Sequence, residues 1–289
     1  MTQTMTFKEC HYKSADGLDL YYRTYGEETD RAPLVCLSGL TRNSGDFDDF
    51  AHRYCRDRRV YALDYRGRGK SAYDPDYRNY NPQTYIADVL QFLTVLGIDR
   101  AVLVGTSLGG IISMALAAMV PDRICGVVLN DIGPEINAAG GSRIAGYVGK
   151  DIRFDTLEQA AEAQKTQFLS AYPDLVDAGW MKTTLPAFIL DAAAGNYRPN
   201  YDLAIGKALL EQVQEDNPVD LWPFFKALKS IPTLAIRGAL SDVLSEEVFD
   251  KMKAAHPNME HVTIKNRGHV PQLDEPEALE KLDEFLERV

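Results

Sequence analysis

Short apolar runs recur along the chain and alternate with longer amphipathic stretches. The runs read PLVCL at 33–37, VYAL at 60–63, AVLV at 101–104, GVVLN at 126–130 and TLAI at 233–236. Runs of this length and character are typical of strands that are buried on both faces. Helical periodicity lies between them, at 82–96 and 109–119. The alternation of strand and helix therefore predicts an α/β fold with a mostly parallel sheet and helices on both faces.

Both ends of the chain add elements to this sheet. Two alternating stretches between Thr6 and Tyr25, separated by the turn signal ADG at 15–17, predict an antiparallel hairpin. A further strand is predicted at 259–264, and a last helix at 276–289 begins with Pro276, a residue favoured in the first helical turn.

The alternation breaks between about Gly133 and Leu228. This segment shows helical periodicity at 157–169, 187–194, 204–213 and 221–228 and no clear strand pattern. We therefore predict an α/β core formed by residues 1–132 and 229–289, and an all-helical cap formed by residues 133–228.

Composition and charge narrow the classes of partner. Hydrophobic residues make up 45% of the chain, which is enough for a buried core, and the formal net charge of −11 disfavours nucleic acid and anionic membranes as partners. The 4 cysteines include no CxxC pair, and the N-terminus has no signal-peptide pattern, so a reducing cytoplasm is expected. The longest apolar run, 111–120, is too short to span a bilayer.

A candidate nucleophile lies where the strand at 101–104 meets the next helix. The chain there reads GTSLGG, with Ser107 in a G-x-S-x-G pattern. The pattern is short enough to arise by chance, but a strand before it and a helix after it are what a sharp nucleophile turn requires. Small residues at Gly105 and Gly109 avoid collisions at such a turn. The helix that follows would present the amide of Leu108 to an oxyanion.

A serine nucleophile needs a base, and His269 is the histidine best placed to serve as one. It lies in the sequence NRGH after the last predicted strand, at the same carboxyl edge of the sheet as Ser107. A carboxylate must orient the histidine. We predict Asp242, in the loop after the strand at 233–236, because it gives the chain order Ser, Asp, His. Asp131, directly after the strand at 126–130, is the alternative.

A second oxyanion donor is expected in the loop after the strand at 33–37. That loop reads SGLTRN, and the backbone amide of Leu40 is the predicted donor. With Leu108, it would complete an oxyanion hole.

These motifs together resemble the α/β-hydrolase superfamily over nearly the whole chain. The resemblance rests on SGL at 38–40, DYRGRGKS at 64–71, GTSLGG at 105–110, RGALSD at 237–242 and GH at 268–269. It implies an eight-stranded sheet with an antiparallel second strand, and a substrate pocket between cap and sheet. Ser107 replaces the aspartate nucleophile of epoxide hydrolases and haloalkane dehalogenases, and Ser38 replaces a histidine found in many members. The oxyanion loop is also shorter than in the C–C bond hydrolases of ring-cleavage products.

The predicted activity is hydrolysis of a small carboxylic ester or lactone through an acyl-enzyme on Ser107, without a metal or other cofactor. The substrate is expected to be a small molecule; the oligomeric state is not predicted. Cleavage of a C–C bond in a β-diketone or vinylogous acid is the alternative reaction, and a silent ligand-binding protein is the alternative from another class. Tyr147, Tyr197, Arg198 and Trp222 are the cap residues expected to face the substrate.

Overall fold

The computed structural model describes residues 7–214 and 219–289. Eight strands form one sheet in the order β1-β2-β4-β3-β5-β6-β9-β10. Their bounds are β1 Lys8–Lys13, β2 Asp19–Tyr25, β3 Leu34–Leu37, β4 Val60–Leu63, β5 Ala101–Thr106, β6 Ile124–Asn130, β9 Thr233–Gly238 and β10 Glu260–Ile264. The predicted hairpin corresponds to β1 and β2; its first predicted residue, Thr6, lies outside the described residues.

The sheet is parallel except at β2. This strand runs antiparallel to both β1 and β4, whereas β3, β4, β5, β6, β9 and β10 pair in parallel. Every residue of β5 is buried, as the continuous apolar pattern of a central parallel strand predicts. The predicted fold class is confirmed: an eight-stranded, mostly parallel sheet with one antiparallel strand.

Helices cover both faces of the sheet. The core helices are α1 Asp48–Tyr54, α2 Pro82–Val95, α3 Leu108–Met119, α9 Glu246–Ala255 and α10 Pro276–Arg288. Side chains of α2, α3 and α9 pack in one apolar cluster, and those of α1 and α10 in another. Leu103 and Val104 of β5 belong to opposite clusters, because successive strand residues point to opposite faces. Among the described helices, none combines the length and apolar character that crossing a membrane would require.

The insertion between β6 and β9 is not all-helical, and that part of the prediction is wrong. It contains α4 Ala138–Tyr147, α5 Leu157–Phe168, α6 Asp177–Ala187, α7 Ala204–Gln214 and α8 Trp222–Ala227, but also strands β7 Phe188–Asp191 and β8 Asn196–Pro199. These strands pair as an antiparallel hairpin where a helix was predicted over 187–194. Helix α6 contains Pro186 and ends one residue later at Ala187, and the following residues FILD gain backbone partners from NYRP.

The last helix of the insertion packs with the core. Helix α8 contacts α3, and its Phe225 is fully buried in the same apolar cluster as the α3 side chains. The predicted cap segment 133–228 therefore includes a helix that belongs to one of the layers covering the sheet.

Candidate active site

Ser107 occupies a tight turn between β5 and α3. Its backbone has φ 51°, a left-handed value that a non-glycine residue rarely adopts, so the turn is strained. The glycine at 109 is required by the turn, since a Cβ there would lie 2.0 Å from the carbonyl oxygen of Leu37. The same holds at 105, where a Cβ would lie 2.4 Å from the carbonyl oxygen of Gly109. The turn holds the Ser107 hydroxyl at the carboxyl edge of the sheet.

His269 contacts this hydroxyl from the loop after β10. Its Nε2 lies 2.9 Å from Ser107 Oγ, so the predicted contact between these residues is present. Its Nδ1 lies 2.7 Å from Asp131 Oδ2. These partners favour the tautomer in which Nδ1–H donates to the carboxylate and Nε2 accepts from the serine hydroxyl. Tyr172 of the insertion donates to the carbonyl oxygen of Val270 at 3.0 Å and so anchors the histidine loop.

The carboxylate behind His269 is that of Asp131, and the prediction of Asp242 is wrong on this point. Asp131 follows the last residue of β6 directly and is fully buried. Its Oδ1 accepts from the amide of Gly238 at 2.8 Å, and its Oδ2 accepts from Ser241 Oγ at 2.6 Å as well as from His269. A carboxylate held by three donors is fixed in the orientation that the imidazole requires.

Asp242 instead binds an arginine from the insertion. Its Oδ2 and Oδ1 accept from Nε and Nη2 of Arg143 at 2.5 and 2.8 Å, a bidentate ion pair. The hydrogen bond from Arg143 lowers the pKa of the Asp242 carboxyl, and His269 contributes a smaller charge effect in the same direction. The same pair raises the pKa of Arg143. Asp242 therefore follows Ser241, a donor to Asp131, but its own carboxylate binds Arg143.

Of the two predicted oxyanion donors, Leu40 lines the cavity in front of Ser107, and Leu108 follows Ser107 directly in the chain. Leu40 lies in the loop after β3, and Leu108 is the first residue of α3. Within residues 7–214 and 219–289, no acceptor for either backbone amide is found. The amide of Gly109 donates to the carbonyl oxygen of Ser38 at 3.1 Å, which ties the two loops together. Two free amides beside the serine are what an oxyanion hole requires.

Arg68 anchors the Leu40 loop through a hydrogen bond. This role was not predicted from the sequence. Its Nε donates to the carbonyl oxygen of Leu40 at 2.8 Å, and its Nη1 donates to Tyr85 Oη at 2.8 Å. The guanidinium lies 4.6 Å from the centre of the Tyr85 ring and is fully buried. The DYRGRGKS motif contained this residue, but the pattern gave no sign of which loop it would bind.

A cavity of about 440 Å³ opens in front of Ser107 between the insertion and the sheet. Apolar side chains line much of it, among them those of Phe47, Phe50, Phe168, Trp180, Phe188 and Leu273. The volume is within the range of small-molecule sites. Among the described residues, no group of histidine, cysteine, aspartate or glutamate side chains is arranged to hold a metal ion.

The cavity includes one of the four cap residues predicted to face the substrate. Tyr147, at the end of α4, lines it. Tyr197 exchanges backbone hydrogen bonds with Phe154, at 2.7 and 3.0 Å, and is not part of the lining.

Arg198 and Trp222 also lie away from the cavity, and their prediction as substrate contacts is wrong. Arg198 donates to Tyr73 Oη at 3.2 Å on the exposed side of the hairpin. Trp222 donates to Glu135 Oε1 at 2.9 Å and packs on Phe225 of the same helix.

The chain is similar in sequence and in structure to known alpha/beta hydrolases. The sequence model of the alpha/beta hydrolase family matches residues 34–282. A crystal structure of an alpha/beta hydrolase from Novosphingobium aromaticivorans superposes with a TM-score of 0.93 at 41% identity, covering 98% of this chain and 99% of that one.

Two curated relatives carry names that specify a reaction. The chain is 30% identical to the 3-hydroxybutyrate-oligomer hydrolase of Cupriavidus necator over 279 residues, which cover 92% of each protein. It is 26% identical to the 2-(acetamidomethylene)succinate hydrolase of Mesorhizobium japonicum over 263 residues, 90% of each.

Proposed function

The chain belongs to the alpha/beta hydrolase family, and we propose that it hydrolyses small carboxylic esters or lactones through an acyl-enzyme on Ser107. The observation that carries this proposal is the chain of contacts from Ser107 Oγ to His269 and on to Asp131, at 2.9 and 2.7 Å. At the serine end of these contacts are the backbone amides of Leu40 and Leu108, for which the described residues provide no acceptor. This arrangement is suited to acyl transfer by a serine nucleophile.

The catalytic cycle follows from the positions of these groups. Ser107 Oγ attacks the ester carbonyl while His269 Nε2 takes the hydroxyl proton. Asp131 stabilises the imidazolium that forms, and the amides of Leu40 and Leu108 hold the negative oxygen of the tetrahedral intermediate. His269 then gives its proton to the leaving alcohol. Water attacks the acyl-enzyme with His269 again as base, which releases the acid and restores Ser107; no step needs a metal or other cofactor.

Two observations support a small ester as the substrate. The cavity of about 440 Å³ suits a small molecule, and its largely apolar lining suits a short aliphatic chain. A relative over 92% of the chain is named for hydrolysing 3-hydroxybutyrate oligomers, whose units are joined by ester bonds.

The same proposal includes a cytoplasmic location and a small-molecule substrate in place of a macromolecular partner. The free state of Cys10, Cys36, Cys55 and Cys125 supports the compartment, because a reducing environment keeps thiols free.

A substrate panel tests the reaction. Purified protein is given short-chain aryl esters, aliphatic esters, lactones and a β-diketone, and the products are identified. We expect turnover of the esters, and a loss of about 10⁴-fold or more in kcat for Ser107→Ala. Ser142→Ala is the matched control, since Ser142 is exposed on α4, and it should retain activity.

Labelling by a fluorophosphonate gives a second readout that does not depend on the substrate chosen. Wild type should be labelled at Ser107 and Ser107→Ala should not. Cleavage of the diketone but not the esters would replace the ester proposal by C–C bond hydrolysis. Absence of both labelling and turnover would instead favour the silent ligand-binding protein.

A further inference from the structure

Arg143 is a cation in the cavity wall that the mechanism above does not use. It lies on α4 one helical turn before Tyr147, and both side chains line the cavity. The two hydrogen bonds to Asp242 use Nε and Nη2 of the guanidinium. The N–H groups of Nη1 therefore remain for a further acceptor.

The guanidinium is held in place from several sides. Asp242 binds it bidentately, and the Phe168 ring lies 5.8 Å from its central carbon. Tyr147 lies one turn further along α4, and the charge of Arg143 acts to lower the pKa of its phenol against the larger effect of burial. An arginine fixed in this way loses little conformational freedom when it binds a ligand.

The charges that line the cavity differ from those of the whole chain. The formal net charge of the chain is −11. Yet the charged residues that line the cavity are the cations Arg42, Arg143, Lys150 and Lys182, with Asp46 as the carboxylate among the described lining residues. The carboxylate partners of Arg42, Arg143 and Lys182 offset the charge of these cations, so what the lining offers an anion is directed N–H donors.

Three of these four cations have carboxylate partners, Arg143 among them. Arg42 binds Asp46, and Lys182 binds Asp49 and Asp274. Lys150, just beyond the end of α4, makes no ion pair within the described part of the chain. The Arg143–Asp242 pair is neutral, and Lys182 is outnumbered by its two carboxylate partners, so Lys150 adds one cation to the lining while Arg143 supplies directed N–H donors.

The anion site lies close to the reacting atoms. Ser107, His269 and Arg143 all line the same cavity of about 440 Å³. A small substrate can therefore reach Ser107 with its ester carbonyl and Arg143 with another group.

We propose that Arg143, oriented by Asp242, binds a free carboxylate on the substrate, so that the preferred esters are those of short hydroxy acids or half-esters of diacids. This inference rests on the proposed ester hydrolysis and names its substrate class. Arg143 is a specificity-determining residue, Asp242 is a positioning residue that fixes the guanidinium, and Lys150 adds charge at the rim.

A pair of substrates that differ only in the anionic group tests the inference. The linear dimer of 3-hydroxybutyrate has one internal ester and a free carboxylate, and its primary amide has the same ester without the charge. Wild type should prefer the acid by about 10- to 100-fold in kcat/KM, mainly through KM, as expected for a hydrogen-bonded charge. In Arg143→Gln that preference should disappear.

The matched control is Arg153→Gln. Arg153 also belongs to the insertion but pairs with Asp151 and Asp191 away from the cavity, so its replacement should leave the preference unchanged. Equal kcat/KM for acid and amide in wild type would overturn the inference, as would equal losses for both substrates in Arg143→Gln.

A binding measurement separates failure of the site from failure of the proposed reaction. Calorimetry with 3-hydroxybutyrate itself is run on Ser107→Ala, and again on Ser107→Ala combined with Arg143→Gln. Binding that weakens about tenfold or more in the double variant supports the carboxylate site even if no ester is hydrolysed. Equal binding to both variants contradicts it, whatever the activity of the wild type.

Discussion

An aspartate follows each of the strands β6 and β9 at the active-site edge of the sheet, and the two carboxylates have different roles. Asp131 at the end of β6 is fully buried, and its oxygens accept from Gly238, Ser241 and His269. Asp242 beyond β9 has a side chain that is 37% exposed and paired with Arg143. The comparison shows that the carboxylate that orients the histidine is the one that is itself buried and held by further hydrogen-bond donors.

The backbone explains which aspartate reaches the imidazole. Asp131 comes immediately after Asn130, the last residue of β6, and its φ of 55° turns the chain at the sheet edge. Asp242 lies further from its strand, which ends at Gly238, and the intervening turn places Ser241 against Asp131. The loop after β9 therefore stabilises the Asp131 carboxylate through Ser241, while its own Asp242 carboxylate points toward Arg143 of the insertion.

The largest expected effect comes from exchanging each aspartate for asparagine. Asp131→Asn should lower kcat by about 10³- to 10⁴-fold, because an amide in place of the carboxylate favours the wrong histidine tautomer and stabilises no imidazolium. Asp242→Asn should stay within about tenfold in kcat on an uncharged ester. Steady-state kinetics with an uncharged aryl ester provides the measurement. Comparable losses in the two variants would contradict the different roles assigned to the carboxylates.

A smaller effect is expected where the two loops meet. Ser241→Ala removes a 2.6 Å hydrogen bond to Asp131 Oδ2, the oxygen that also binds His269. One hydrogen bond to a charged group corresponds to about a tenfold loss in kcat. Ser142→Ala, which replaces an exposed serine on α4, is the control. A loss no larger than that of the control would mean that Ser241 does not help to orient Asp131.

The smallest effect concerns stability and its dependence on pH. Because Arg143 lowers the pKa of Asp242 in the folded state, the ion pair stabilises the fold above the unfolded value near 3.8, and the stabilisation is lost as pH falls through the lower folded value. Asp242→Asn should cost less than about 1 kcal/mol at pH 7, given the exposure of the pair. Urea unfolding of wild type and variant at pH 7, 5 and 3.5 measures this difference. A difference that grows toward acid pH would contradict the lowered pKa.

The sequence was sufficient for the sheet and for part of the site. Continuous apolar runs predict the parallel strands, and the strand-turn-helix context of Ser107 predicts its turn. The hairpin of β7 and β8 was missed because its strands are short and, apart from Phe188 and Pro199, exposed or half-buried, so neither is a continuously buried run like the core strands.

The choice between Asp131 and Asp242 could not be made from chain order, since both follow strands that end at the same sheet edge. Immediate adjacency to a buried strand was the signal that favoured Asp131. Arg143 gave no sequence signal, because its role depends on α4 lying over the end of β9, a tertiary contact between residues 99 apart in sequence.

The hydrogen-bonded proton on His269 Nδ1 gives the most direct test of which carboxylate orients the histidine. Proton NMR in the far-downfield region should show this proton in wild type, with its assignment secured by loss of the signal in His269→Gln. The signal should persist in Asp242→Asn and be lost or strongly shifted in Asp131→Asn. Persistence in Asp131→Asn with loss in Asp242→Asn would contradict the role of Asp131 and restore Asp242 as the partner of His269.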